Sequence, residues 1–494
     1  NHRRGSTPMV TKVQATAKET AQETVQETAQ TAVPVSVDTR KLAADVKSLT
    51  VEERMERGRA LRARVPRSSH AFWAETPDRP DPIALLESQE VTREQDLIPI
   101  RHSRMRVSAF AFYRGSAIVM AEDLARTPMT GMRTQLCGDA HISNFGLYAS
   151  PERTLLFDIN DFDETLPGPW EWDVKRLAAS AYIAGRGNGF TEVECRDASL
   201  AAVRSYRLRM AQFATMGFLD VWYTHVTAED LLALIQDQKA QKRAQKTLGK
   251  TRQRNSLQPL SKLTEEVNGQ RIIANDPPLV MRITAENIAS QLQGLFETYV
   301  GTLRGAQRNL LHRYRIVDFA TKVVGVGSVG TRCFILLLLG RDDDDPLFLQ
   351  IKEAPPSVLE RHLPKTEFKQ QGERVVSGQE LMQAASDITL GWLHGPERDF
   401  YVRQLRDMKG SVEIEALTAT QLQFWSEVCG WALARAHARA GDAAEIAGYL
   451  GASDTFDRAV AAFSEAYANQ AERDYKALLA AIKSGRIVAA TAGV

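Results

Sequence analysis

The segment Gly325-Val326-Gly327-Ser328-Val329-Gly330-Thr331-Arg332 restricts the fold of this chain more than any other. Glycines in a GxGxxG spacing occur in dinucleotide-binding units, where a strand leads in and a helix follows. Here Cys333-Phe334-Ile335-Leu336-Leu337-Leu338-Leu339 follows, a poor helix start and a good strand. An acidic turn, Arg341 to Pro346, then leads into a second apolar run, so residues 314–353 predict a hairpin, and a dinucleotide-dependent oxidoreductase is disfavoured. On the second strand Leu347, Leu349 and Ile351 face one way, while Phe348, Gln350 and Lys352 face the other. Lys352 is thereby aimed under the glycine loop. In isolation it would read as a snorkelling surface lysine.

The longest apolar run, Cys333 to Leu339, is far short of the ~20 residues of a spanning helix. Arg3 and Arg4 lead into polar sequence without an apolar signal region, and a cytoplasmic location is expected. The four cysteines lie far apart, with no CxxC pair, which suits a reducing compartment. With 62 basic and 61 acidic side chains, the charge balance argues against a nucleic-acid coat protein. Residues 239–254 carry seven Lys or Arg and no acid, but no aromatics for stacking, so they read as a solvated basic helix or loop.

Helical spacing runs from Lys41 to about Arg64 and over 174–216, 284–312, 365–386 and 419 to the end. Residues 399–405 read as a strand. Over 101–126, aromatics alternate with small residues (Phe110, Phe112, Tyr113, Gly115), predicting a strand entering a turn. Residues 1–40 are low in complexity and are expected to be a disordered tail.

Two segments carry chemistry. Within Cys137 to Gly146, Asp139 and Asn144 stand five apart in a tight loop. A carboxylate there can take the proton of an attacking hydroxyl, and an amide oxygen is a hard ligand for Mg²⁺. In Leu155-Leu156-Phe157-Asp158-Ile159-Asn160-Asp161-Phe162-Asp163-Glu164, four acids crowd the end of an apolar strand. Such acids repel unless a cation neutralises them, so a divalent-metal site is expected.

Phe112 to Gly115, Cys137 to Gly146, Asn160 to Glu164, Trp170 to Ala178, Gly325 to Arg332, Leu349 to Ala354 and Tyr401 to Lys409 together resemble a bacterial family known as domain of unknown function 2252. That name carries no activity. Gly138-Asp139-x₄-Asn144, Asp161-Phe162-Asp163 and Asp173 are also similar to the catalytic half of aminoglycoside phosphotransferases and related small-molecule kinases. This resemblance implies that Asp139 is the catalytic base, Asn144 and Asp161 are metal ligands, and Asp173 is a structural acid. Cys137 stands where those enzymes have His, and Asp163 where the metal motif has Gly. Asp158 fits the upstream spacing nearly as well as Asp161, and Asp158 or Asp163 is a further candidate ligand. The glycine hairpin resembles the phosphate-covering loop of protein kinases.

In kinases the glycine loop and lysine come first, whereas here they follow the catalytic loop by almost two hundred residues. Leu433 to Ala438 resembles the helix before the phosphotransferase catalytic loop, yet lies near the C-terminal end. The resemblance therefore implies an α+β, protein-kinase-like fold in circularly permuted order. Residues 41–313 would form a helical lobe with the catalytic loop and metal motif. Residues 314–410 would form a small β-rich nucleotide lobe, and 411–494 would pack as helices on the helical lobe.

The implied activity is ATP- and Mg²⁺-dependent phosphoryl transfer to a hydroxyl-bearing acceptor, a small molecule ahead of a protein. AMP transfer, or nucleotide binding without turnover, is the alternative. Gly325, Gly327, Ser328 and Gly330 would cover the phosphates and Lys352 would neutralise them. Glu373 or Glu380 would pair with Lys352, and the backbone around Arg403–Leu405, Gln404 included, would contact adenine. Arg114 is expected in a structural ion pair, with substrate or phosphate binding as the other reading.

Overall fold

Each apolar run flanking the acidic turn is long enough for one strand, and the two pair antiparallel, Cys333 opposite Lys352 and Leu339 opposite Pro346. The computed structural model describes residues 49–491 except 236–237, 253–262, 284–287, 406–409 and 411. The tail expected over 1–40 lies outside the described residues.

In chain order, β1 (Arg133–Leu136) pairs with β4 (Leu166–Pro169), and β2 (Phe145–Ala149) with β3 (Leu155–Ile159). β5 (Val226–Thr227) joins the edge of β3, and β6 (Thr264–Val267) and β7 (Gln270–Ile273) form a hairpin. The main sheet comprises β8 (Val280–Arg282), β9 (Arg315–Lys322), β10 (Cys333–Leu339), β11 (Pro346–Glu353), β12 (Gly391–His394) and β13 (Asp399–Gln404). Its order is β12-β13-β11-β10-β9-β8, antiparallel throughout. Because β8 pairs with β9, this sheet draws on chain before residue 314.

The two faces of the sheet follow the alternation of the sequence. Leu336, Leu338, Leu349 and Val402 pack with Phe296, Tyr299 and Val300 of the helix Ile288–Thr302. Ile335, Leu337, Leu339 and Phe348 pack on the other face with Ile273, Val280 and Ala320. Gln350 and Lys352 share the side of Phe348, as the period of two requires.

The large apolar core lies among helices. Thr191 and Thr418 each close a capping box, starting the helices Glu192–Phe213 and Ala419–Ala440. These pack together and on the helix Trp170–Gly187, whose Val174, Leu177, Ala178 and Tyr182 are buried. The helix Thr455–Ser484 covers the same core.

The strand expected in 101–126 is not formed. The segment folds as three helices, Ile98–Met105, Ala109–Gly115 and Ala117–Leu124. Ser108 caps the second, its Oγ accepting from the Ala111 amide at 3.0 Å. Phe110, Phe112 and Tyr113 are all buried, so the aromatic/small alternation reflects packing on every side, not a two-faced strand. No helix among the described residues is long and apolar enough to cross a membrane. The four cysteines are buried and unpaired.

Candidate functional site

The loop after β1 is shaped by a buried carboxylate. Asp173, in the first turn of the helix Trp170–Gly187, accepts the amides of Cys137 and Gly138 at 2.8 and 3.1 Å. Gly138 has φ +83°, and a Cβ there would meet the Glu164 carbonyl oxygen at 2.3 Å, so only glycine fits. His437, near the end of the helix Ala419–Ala440, reaches Asp173 at 3.3 Å and is itself held by the Tyr206 hydroxyl at 2.9 Å. Trp425 of the same helix donates to the Ile142 carbonyl at 3.1 Å.

This anchoring presents Asp139. Its Oδ1 accepts from Arg176 Nε at 2.7 Å, while His141 Nε2 stands 3.7 Å from Oδ2. Burial raises the Asp139 pKa, against the pull of Arg176. Burial, then the charges of Arg114 and Arg176, hold His141 well below the ordinary histidine pKa, so its imidazole is neutral. Asn144 Nδ2 donates to the Asp139 carbonyl at 2.8 Å, which fixes the side-chain amide.

The Asn160 amide donates to the Asn144 carbonyl at 2.8 Å, so the acidic turn leaves β3 beside Asn144. Asp161 and Asp163 then face Lys352. Lys352 Nζ donates to Asp163 and lies 3.7 Å from Asp161 Oδ2. The Tyr401 hydroxyl donates to Asp163 at 2.8 Å and the Ser328 hydroxyl at 3.3 Å. Burial alone would raise the Asp163 pKa, but Lys352 outweighs it and the pKa falls. Burial and the neighbouring Asp163 charge raise Asp161. Lys352 is raised by the two carboxylates despite its burial.

The glycine loop closes over the same space. Gly330, at φ +88°, passes so close to Arg93 that a Cβ would lie 3.1 Å from the arginine side chain. Arg93 and Arg104 donate to the Val329 and Gly325 carbonyls, and the Glu94 amide to the Gly330 carbonyl at 2.8 Å. Asp139, Asn144, Asp161, Asp163, Gly325, Gly327 and Ser328 line one cavity of about 110 Å³, with Arg93, Arg114 and His141. Gly330 stands behind the loop, and Lys352 meets the cavity through its carboxylate partners.

Four sequence expectations are corrected. Asp158 does not face the cavity. It is fully buried and accepts from Arg435 at 2.7 and 2.9 Å and from the Ala384 and Ile159 amides. Neither Glu373 nor Glu380 pairs with Lys352, because the acidic turn supplies its partners. Glu380 is exposed in a separate groove, and the helix Gln371–Met382 reaches the turn through Arg374, which donates to the Asp163 and Thr165 carbonyls. Gln404 lines a different cavity with Asn160 and Gln383. Its amide donates to Asp387, and that of Leu405 to the Phe348 carbonyl at 2.9 Å, so these donors are already used. Arg114 forms no ion pair and no hydrogen bond among the described residues. Its guanidinium lies 5.8 Å from the Phe110 ring, and its Nε is buried without a partner.

Arg93, His141 and Arg176 were not singled out in the sequence. His141 could have been, standing two residues after Asp139. Arg93 carries no local signal, because its role depends on a loop more than two hundred residues away.

Among the described residues, no three His, Cys, Asp or Glu side chains are gathered to hold a metal ion. With Asp158 and Asp163 hydrogen-bonded to cations, Asp161, which meets Lys352 only at 3.7 Å, and the Asn144 amide oxygen remain as hard donors. That pair fits Mg²⁺, which keeps waters and takes much of its shell from phosphate. It does not fit a protein-caged zinc or calcium ion.

A strand-rich sheet and a helical body that meet at one charged cleft define an α+β protein. The chain belongs to the family described as "Uncharacterized protein conserved in bacteria (DUF2252)", whose profile matches residues 93–481. No curated protein and no solved structure matches it.

Proposed function

We propose that this protein is an ATP- and Mg²⁺-dependent phosphotransferase acting on a hydroxyl-bearing acceptor, with a kinase-like fold in circularly permuted order. One observation carries the reading: the glycine hairpin, Lys352, the acidic turn and Asp139 converge on one cavity although the chain order separates them. Counted from β9, the glycine loop follows the first strand and Lys352 lies on the third, as in protein kinases. The contact of His437 with Asp173 supports the permuted order, because it sets the helix Ala419–Ala440, late in the chain, beside the loop that carries Asp139.

On this reading Lys352 neutralises phosphate charge, and the amides of Gly325 to Ser328 approach the phosphate oxygens. Asp161 and Asn144 would hold Mg²⁺, which supplies charge neutralisation on the phosphates. Asp139, held by Arg176 through Oδ1, offers Oδ2 to the acceptor hydroxyl. The acceptor oxygen bonds to the γ-phosphorus as the bond to the β–γ bridging oxygen breaks. ADP leaves with that electron pair, and the hydroxyl proton passes to Asp139. A cytoplasmic location, where ATP is available, goes with this activity.

The test is ATP turnover with Mg²⁺ in the full chain, comparing wild type with Asp139→Asn and Asp161→Asn. Product mass separates the chemistries: the acceptor gains phosphate in one case and AMP in the other. Turnover that both substitutions leave untouched refutes the site, and ATP binding without turnover refutes the enzyme.

A further inference from the structure

We infer that the acceptor is an anionic hydroxy compound, whose carboxylate or phosphate is bound by Arg114 beside the hydroxyl that faces Asp139. The inference deepens the phosphotransfer reading and rests on it for the word acceptor.

The observation is a cation with no hydrogen-bond or ion-pair partner among the described residues. Buried polar groups are almost always paired, and one that is not calls for an explanation. Three nitrogens around the cavity lack any hydrogen-bond partner among the described residues: Arg93 Nε, Arg114 Nε and His141 Nδ1. Arg93 has another use, since it donates to the Val329 carbonyl beneath the glycine loop. His141 carries no charge to satisfy. Arg114 alone brings a full positive charge, and no carboxylate or carbonyl among the described residues takes its protons. Burial lowers its pKa although the Glu415 and Asp139 charges raise it, the cost expected of a guanidinium kept partly out of water with no carboxylate in contact. An arginine fork matches carboxylate and phosphate oxygens geometrically, so an anionic ligand is what removes that cost.

The position of Arg114 selects the acceptor over the nucleotide. Its charge acts on Asp139 and His141, at the proton-accepting end of the cavity. Arg176, which holds Asp139, also donates to the Tyr113 carbonyl at 2.9 Å, so the next residue, Arg114, enters the cavity beside Asp139. The backbone of Arg114 is also fixed, in the last turn of the helix Ala109–Gly115, where a Cβ on Gly327 would lie 3.3 Å from its carbonyl oxygen. Arg114 thus borders the loop tip and the base together. An anion held there sets a neighbouring hydroxyl between Asp139 and the transferred phosphoryl group.

The experiment uses the full chain and three matched probes: glycerol, D-glycerate and glycerol 3-phosphate. Each is titrated by calorimetry with and without Mg²⁺ and the β,γ-imido analogue of ATP. Wild type is expected to bind both anions, with nucleotide present, and not glycerol. Arg114→Gln is expected to weaken both anions about ten- to a hundredfold, the loss of a charge-assisted pair. Its affinity for the nucleotide analogue should change less than about twofold. Arg114→Lys, which keeps the charge, should retain part of the anion affinity and serves if the glutamine variant does not fold.

Three results overturn the inference. One is anion binding that Arg114→Gln leaves intact. Another is loss of nucleotide affinity in that variant with anion affinity unchanged, which assigns Arg114 to the γ-phosphate. The third is absence of anion binding in wild type. Arg114-dependent anion binding without transfer from ATP to any hydroxy anion refutes the phosphotransfer reading and leaves the anion site standing.

Discussion

Lys352 and Asp163, 189 residues apart in sequence, form an ion pair at the seam between the glycine hairpin and the acidic turn. Tyr401 and Ser328 donate to the same carboxylate, so Asp163 gathers β11, β13 and the glycine loop at one point. In kinases the phosphate-contacting lysine pairs with a helix glutamate. Here the carboxylates facing Lys352 come from the turn that follows β3. The pair therefore joins the hairpin to that turn as well as orienting the lysine.

Lys352→Met is expected to cost about 2–4 kcal/mol, because it leaves two half-buried carboxylates without their cation. Thermal unfolding of Lys352→Met, of Asp163→Asn and of the double variant checks this. The double variant should recover part of the loss, since removing both charges is milder than stranding one. A double variant as unstable as the sum of the singles would show that the two residues do not act as a pair.

Asp139→Asn should keep nucleotide affinity while turnover falls about 10²- to 10⁴-fold, the usual worth of a general base. Asp161→Asn should act differently. Nucleotide affinity, measured across a Mg²⁺ series, should lose most of its dependence on the ion. Chelation of Mg²⁺ should abolish turnover in wild type. A metal dependence unchanged in Asp161→Asn would remove this carboxylate from the metal site.

Short-range patterns made the hairpin and the strand–turn motif legible in the sequence. A period of two placed Lys352 under the glycine loop, and crowding of acids at the end of β3 signalled a need for cations. What the pattern could not reveal was which cation each acid receives. Asp158 meets Arg435, 277 residues away. Asp163 meets Lys352, where the expected partners were Glu373 or Glu380 for the lysine. Arg114 illustrates the converse, because the lack of a partner is a tertiary fact that no local spacing encodes. The 101–126 segment misled for another reason: alternation signals a strand only when one face is wet, and Phe110, Phe112 and Tyr113 are all dry.

The glycines of the two loops should not respond alike to alanine. Gly138 combines φ +83° with a 2.3 Å approach to the Glu164 carbonyl oxygen, a backbone atom that cannot swing away. Gly325 has φ +69° but is exposed, and the atoms nearest a Cβ there belong to Ser328, at 3.8 Å or beyond. Gly325→Ala should therefore cost about 1–2 kcal/mol, the left-handed strain alone. Gly138→Ala should cost clearly more, or fail to fold. Denaturant titration of both variants checks the ranking, and equal losses would contradict it.

The last prediction concerns the helical core. Lys175 is fully buried on the helix Trp170–Gly187, its Nζ lacks a hydrogen-bond partner among the described residues, and it lies 5.0 Å from the Phe463 ring. Burial lowers its pKa to about 7, against the pull of Glu171 one turn earlier. The Lys175 charge adds to the burial that holds His70 down. Between about pH 7 and lysine's ordinary pKa of about 10.4, the unfolded chain binds a proton at this site that the folded chain does not. Stability contributed by Lys175 therefore rises with pH across that window. Lys175→Met removes the need to bury or discharge an amine, so it should stabilise the protein at pH 7, and its advantage over wild type should shrink by pH 9. Chemical denaturation of both proteins at the two pH values isolates the effect, because the other titrating groups are common to both. An advantage that stays constant or grows with pH would mean that Lys175 remains charged in the fold, with Glu171 as its counterion.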